Sequence, residues 1–214
     1  LPSDDSLILS FDTSAAHCAA ALLCGDRILV HRREEMARGQ AERLVPLLEE
    51  LLAEAGHGWA DLSALAVGVG PGNFTGIRIS VALARGLALG LGVPVIGVTG
   101  FEVLSEGAPR PVLATLPAPR GQVYAQLVTD SGSGTPQLCP ADSLPDEMMP
   151  PGTGLLGSAP GATPGPENPA PAIARIAAAR LEEAAPGALP APAPFYLRPA
   201  DAAPPRDAPP RIVP

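Results

Sequence analysis

Apolar and polar positions along the chain change rhythm several times, and each change marks an element. Leu7-Ile8-Leu9-Ser10-Phe11 is a short apolar run that ends in the turn-forming Asp12-Thr13-Ser14. Residues 17–23 pair back on it, Gly25-Asp26 reverses the chain, and 27–32 supply a third strand. Then the period lengthens. Leu44, Leu47, Leu48, Leu51, Leu52 and Ala55 recur at helical spacing, which predicts a helix over 39–55 with one apolar face. Pro46, inside it, has no N–H to give the carbonyl of Glu42, and is expected to bend the helix or mark its first full turn. Ala64-Leu65-Ala66-Val67-Gly68-Val69 is apolar without alternation, as a strand buried on both faces requires. Residues 75–91 contain no proline, are rich in Ala and Leu, and read as a second helix, with a further strand over 93–98.

After that the signal weakens. Residues 111–116 and 122–128 read as strands around a Pro-Ala-Pro-Arg-Gly turn. The region 131–165 is rich in Gly, Pro and Ser and offers little to a core; 173–185 reads as an Ala-rich helix and 195–197 as a short final strand. Only four of the 28 prolines precede residue 107, so a boundary is expected near 106–111. The division is an N-terminal domain over 1–106, a smaller C-terminal domain over 107–200 and a Pro-rich tail over 201–214. A β-meander followed by alternating helices and strands gives the fold class: α/β, a mixed sheet with flanking helices.

Composition narrows the chemistry. With 46% hydrophobic and 17% charged residues over 214 positions, the chain suits a globular protein with a real core. Its apolar stretches, broken by Gly, Pro or Arg, are read as shorter than the ~18 residues a membrane span needs. The acidic start Leu1-Pro2-Ser3-Asp4-Asp5 lacks the basic region of a secretory leader, so a cytoplasmic location is expected. The net charge is −8 and there is no lysine. That excludes a P-loop lysine, a Schiff base and a pyridoxal linkage. The arginines are scattered and form no stripe for a nucleic-acid backbone. Cys18, Cys24 and Cys139 have no C-x-x-C spacing and are expected to be structural thiols; His17, His31 and His57 show no metal-ligand spacing. No metal site is expected.

The most specific motif joins the 64–69 strand to the second helix: Gly70-Pro71-Gly72-Asn73-Phe74-Thr75-Gly76-Ile77-Arg78. Such a turn aims free N–H groups at an anion or lets a partner's backbone approach closely. Asn73 or Thr75 is the expected helix cap. In the helix that follows, Gly76, Ser80, Ala82, Ala84, Gly86, Ala88 and Gly90 place small residues on every face. Gly86 and Gly90 each cost the helix about 1 kcal/mol, which is more easily understood if a second backbone packs there.

With Ile8 to Ser14, Arg43-Leu44-Val45-Pro46-Leu47-Leu48 and Tyr196-Leu197-Arg198, this motif resembles the bacterial TsaB (YeaZ) family. That family belongs to the actin-like (ribonuclease H-like) superfamily; its loop pattern is Gly-Pro-Gly-Ser-Phe-Thr-Gly-x-Arg, with Asn73 replacing Ser here. The resemblance implies a truncated second domain and an accessory role in forming threonylcarbamoyladenosine beside the tRNA anticodon. It implies a TsaD-type transferase subunit and a TsaE-type ATPase as partners, a homodimer when alone, and tRNA contact only through the complex. ATP or ADP and metal are then expected on the partner subunits, with no cofactor and no catalytic residue in this chain. The partner interface implied is Arg43, Leu44, Leu47, Leu48, Leu51, Phe74, Arg78, Ala82, Arg85 and Leu89. Relatives often have His at the position of Gln40. Asp12, Thr13 and Ser14 form a vestigial nucleotide-facing hairpin, read from its residues either as a turn or as a remaining nucleotide contact.

Two other functions are set against this one. An actin-like ATP-binding enzyme of the kinase type needs a second phosphate-facing hairpin near 114–120, where Pro117 supplies neither carboxylate nor N–H. A peptidase needs an activated Ser or Cys, and no G-x-S-x-G elbow occurs.

Overall fold

The computed structural model describes residues 6–185 and 188–197. The acidic start, Arg198 and the 201–214 tail lie outside the described residues. The chain runs β1 (Leu7–Asp12), β2 (His17–Cys24), β3 (Arg27–Glu35), α1 (Gln40–Glu54), β4 (Ala64–Gly68), α2 (Phe74–Leu91), β5 (Val95–Val98) and α3 (Gly100–Ser105). It continues through β6 (Val112–Ala118), β7 (Gln122–Thr129), β8 (Gly132–Ser133), β9 (Gln137–Pro140), β10 (Gly154–Gly157) and α4 (Ala170–Glu183).

The first sheet has the order β3-β2-β1-β4-β5, antiparallel through the meander and parallel from β1 to β4 to β5. Successive side chains of a strand leave opposite faces, and β1 shows both sides. Leu7, Leu9 and Phe11 pack with Leu44, Leu47, Leu48, Leu51 and Ile77 beneath α1 and α2. Ile8 packs with Ala66, Ile96, Ile173, Ala174 and Ala177 beneath α4. Ser10, on the α4 side, donates to the carbonyl of Ala170 at 2.7 Å and so secures the start of that helix. α4 follows the second sheet in sequence yet covers the first.

The second sheet runs β10-β6-β7-β8, with β9 also on β7; β10 is parallel to β6 and the rest antiparallel. Together the sheets and helices make the mixed α/β architecture expected of an actin-like chain.

Several expected elements are corrected. The region 131–165 does enter a core: it carries β8, β9 and β10, and Cys139 and Met148 are buried against Leu113, Val123 and Ala125. α3 went unread because six residues are too few for a visible helical period, although Thr99 and Glu102 form a capping box at its start. Residues 195–197 form no strand; the segment is held by one ladder-like bond, Phe195 N to Val69 O at 2.8 Å. α2 is longer in its apolar run than expected. Its 18 residues have a mean hydropathy of 1.4, enough by length and composition to cross a membrane, yet Ile77, Val81, Ala84 and Ala88 are buried on the sheet side.

Candidate functional site

Two regions concentrate the residues singled out by sequence: the junction of the β1–β2 hairpin with the loop before α2, and the outer faces of α1 and α2. In the first, Asn73 caps α2, its Oδ1 accepting from Gly76 N at 2.9 Å. The hairpin fits into the loop from the other side. Asn73 N donates to Ser14 O at 2.6 Å, and Thr13 Oγ1 donates to Gly76 O at 2.7 Å. A Cβ on Gly76 would collide with Thr13 O, one on Gly72 with Ser14 O, and one on Gly68 with the Asp12 carboxylate. The glycines thus admit the chain's own hairpin, where the sequence reading expects an anion or a partner's backbone.

Asp12 closes the hairpin. Its Oδ1 accepts from Ser14 N at 3.0 Å and Ser14 Oγ at 2.9 Å, and lies 2.8 Å from His17 Nε2. Gln40, buried at the start of α1, donates to Ala15 O at 2.7 Å and His17 O at 2.8 Å. It braces the hairpin from inside. A cleft of about 260 Å³ opens here, with Asp12, Ser14, His17 and Arg33 on one side and Leu104, Leu116, Pro117 and Ile173 on others. Pro117 lines the cleft from within β6, opposite Val123, and has no N–H to offer. Next to it, Thr115 is engaged internally: its Oγ1 accepts from Ser158 N and Ala159 N and donates to Leu156 O. Ser14 Oγ bonds the Asp12 carboxylate, and so does His17, so neither activates the other in the manner of a hydrolytic serine. Among the described residues no group of three His, Cys, Asp or Glu comes together as a metal site. Burial, the largest cause, pushes the Cys18 thiol up to about 11, which keeps it protonated at neutral pH.

The helix faces divide the expected partner residues. Leu44, Leu47, Leu48 and Leu51 are fully buried beneath α1, so they belong to the core and not to an outer surface. Their spacing requires it, since residues at i, i+3, i+4 and i+7 share the face turned to the sheet. Arg43 is half-buried and already occupied: it bonds Glu34 and Glu50 at 2.6–2.7 Å. Its guanidinium holds both carboxyls below the usual carboxylate range. Arg78, Ala82, Arg85 and Leu89 are exposed on α2, and Phe74 is half-exposed. Leu89 is 87% exposed, and a Cβ on Gly86 or Gly90 would meet nothing within 4 Å. On α1 the outward residues include Ala41, Glu42, Pro46 and Glu49.

Sequence reading missed one part of this surface. Phe195 packs both on the core beneath α2 and on the cluster of Phe101, Ala114 and Tyr124. Tyr196 then lies on Phe74, ring centroids 4.6 Å apart, and its hydroxyl accepts from Arg78 Nε at 3.1 Å. The Arg78 guanidinium sits 3.8 Å above the Phe74 ring. The Tyr-Leu-Arg motif was visible, but its contact with a helix 118 positions earlier was not.

Comparison with known proteins agrees with this architecture. A family model described as TsaD, tRNA N6-adenosine threonylcarbamoyltransferase, matches residues 32–138. The tRNA threonylcarbamoyladenosine biosynthesis protein TsaB of Escherichia coli is 38% identical over 122 residues, 55% of this chain and 52% of that one. TsaB of Buchnera aphidicola is 32% identical over 153 residues, covering 66% of this chain and 72% of the relative. The chain belongs to the TsaB (YeaZ) family. Its match to the Escherichia coli and Haemophilus influenzae TsaB proteins spans about half their length. Among solved structures, YeaZ of Pseudomonas aeruginosa superposes with a TM-score of 0.71 at 28% identity, covering 90% of this chain and all of the other. A second Pseudomonas aeruginosa structure, described as similar to the peptidase YeaZ, gives 0.73 at 27% identity with the same coverage. In this chain the glycine-rich loop joins β4 to α2, with Asn73 serving as the α2 cap.

Proposed function

We propose that this chain is an accessory subunit in the formation of tRNA threonylcarbamoyladenosine, the process named in its TsaB relatives. It acts by docking a TsaD-type transferase subunit on the outer faces of α1 and α2 and keeping that subunit active. The observation that carries this reading is α2 itself: an apolar helix whose Gly86 and Gly90 face open space beside an 87% exposed Leu89. Two glycines cost a helix about 1 kcal/mol each, and among the described residues nothing packs against either one. A partner backbone packed against them offsets that cost. An exposed apolar strip of this kind also favours self-association when no partner is present.

The hairpin geometry supports a non-catalytic role. The glycine loop that could cradle phosphate is filled by Thr13 and Ser14, and Asp12 Oδ1 already takes three contacts. ATP or ADP, its metal and the bond-making groups then reside on the TsaD-type subunit and a TsaE-type ATPase. The tRNA is reached through the complex, in the cytoplasm. The kinase-type reading has the cleft in its favour, but Pro117 in its lining has neither a carboxylate nor an N–H for phosphate or metal.

Reconstitution tests the proposal. Partner subunits with tRNA, threonine, bicarbonate and ATP are assayed with this chain, without it, and with Gly86→Arg, and the modified nucleoside is read by mass spectrometry. Full modification with wild type and about tenfold less with either alternative is expected. Equal yield without the chain, or micromolar Mg-ATP binding and turnover by the chain alone, would overturn it.

A further inference from the structure

Eleven arginines lie among the described residues, and six of them, Arg78 included, meet no carboxylate there; Arg78 is set apart from the other five by an aromatic stack and a side-chain hydrogen bond that hold it. Arg32, Arg33, Arg43, Arg175 and Arg180 each meet a carboxylate of this chain. Arg78 meets none among the described residues, although it is held from two directions. Its guanidinium lies 3.8 Å over the Phe74 ring, and its Nε donates to Tyr196 Oη at 3.1 Å. Stacking and one hydrogen bond fix the plane of the fork, while both Nη groups have no acceptor among the described residues. An exposed arginine normally loses rotamer freedom when it engages an anion; here much of that ordering is already complete.

Resting on the reading of α2 as the partner face, we infer that Arg78 is a preorganised receptor for a carboxylate. Its ligand is an Asp or Glu side chain on the TsaD-type partner, and Phe74 and Tyr196 are its positioning residues. Charge complementarity supports that occupant. α2 carries Arg78 and Arg85 and no acidic residue, so its outer face is a cationic apolar strip that a helix with acidic positions matches. A planar fork presents two parallel N–H groups, the geometry of a bidentate carboxylate. A nucleic-acid phosphate fits less well. The neighbours of Arg78 on this face are Ala82 and Leu89, and Glu42 and Glu49 are exposed on the adjacent α1. The net charge of −8 repels a phosphate backbone further.

The test is the affinity of the purified TsaD-type partner, measured by calorimetry at low and high salt, for wild type, Arg78→Gln, Arg78→Lys, Tyr196→Phe and Gly86→Arg. Thermal melts accompany each variant. Arg78→Gln is expected to weaken binding about tenfold or more and to flatten its salt dependence, with the melting temperature unchanged. Arg78→Lys recovers little of this, because an ammonium cannot stack on Phe74 and offer two parallel donors. Tyr196→Phe keeps the ring stack and loses about threefold through a less ordered fork.

Wild-type affinity in Arg78→Gln or Arg78→Lys, alongside loss in Gly86→Arg, would sink the receptor while leaving the partner face intact. Wild-type affinity in Gly86→Arg would instead remove the face itself. Loss of tRNA retention in a gel shift by Arg78→Gln, with partner affinity untouched, would make the ligand a phosphate and overturn the inference.

Discussion

At Gly76 two effects of opposite sign meet. Placing alanine in a helix favours the folded state by about 1 kcal/mol over glycine. At this position, however, the new Cβ would run into the Thr13 carbonyl oxygen, a backbone atom that cannot swing aside. Overpacking against a rigid neighbour costs about 1–3 kcal/mol or more, so the clash wins. Gly76→Ala is expected to lower stability by about 2 kcal/mol in a urea titration; a stabilised variant would show that the hairpin is not seated as described. The residue types here were legible in the sequence, since a glycine-rich turn before a helix announces a close approach. What approaches was not, because Asp12, Thr13 and Ser14 lie some sixty positions earlier. The occupant of the turn proves to be the chain's own hairpin.

Helices α1 and α2 show what a periodic pattern does and does not reveal. The existence of both, and their extents to within a residue or two, followed from apolar spacing and the lack of breakers. Which residues of each helix face outward did not. The leucines of α1 that make the pattern conspicuous are conspicuous because they face the sheet, and assigning them outward reversed that logic. Small residues mark the outward strip better than large ones. Gly86→Ala isolates this point, since its Cβ enters empty space. The isolated chain is expected to gain about 0.5–1 kcal/mol in stability, while affinity for the TsaD-type partner falls severalfold as the backbones are held apart. Gain of stability with unchanged affinity would mean that nothing packs closely there. Short elements escaped for a different reason: α3 and β8–β10 are too brief for either periodicity to register, and they owe their form to caps and ladder partners.

The two sheets of the molecule are tied together late in the sequence. Phe195 lies between the core under α2 and the cluster formed by α3, β6 and β7, and its amide adds a bond to Val69 beside β4. Phe195→Ala should therefore act on both sides at once. A loss of about 2 kcal/mol is expected for this half-buried ring, together with faster hydrogen exchange at the amides of Gly76 and Gly100, on opposite sides of the junction. Unchanged exchange at both would show that the ring merely fills space.

The same late segment supplies Tyr196, and a timing follows from that. During synthesis Arg78 leaves the ribosome long before the tyrosine that will steady it, with 118 positions between them. A nascent chain that already displays α2 still lacks the finished cationic fork. On the inferred role of Arg78, such a chain pairs with a TsaD-type subunit about threefold more weakly until residue 196 has been translated.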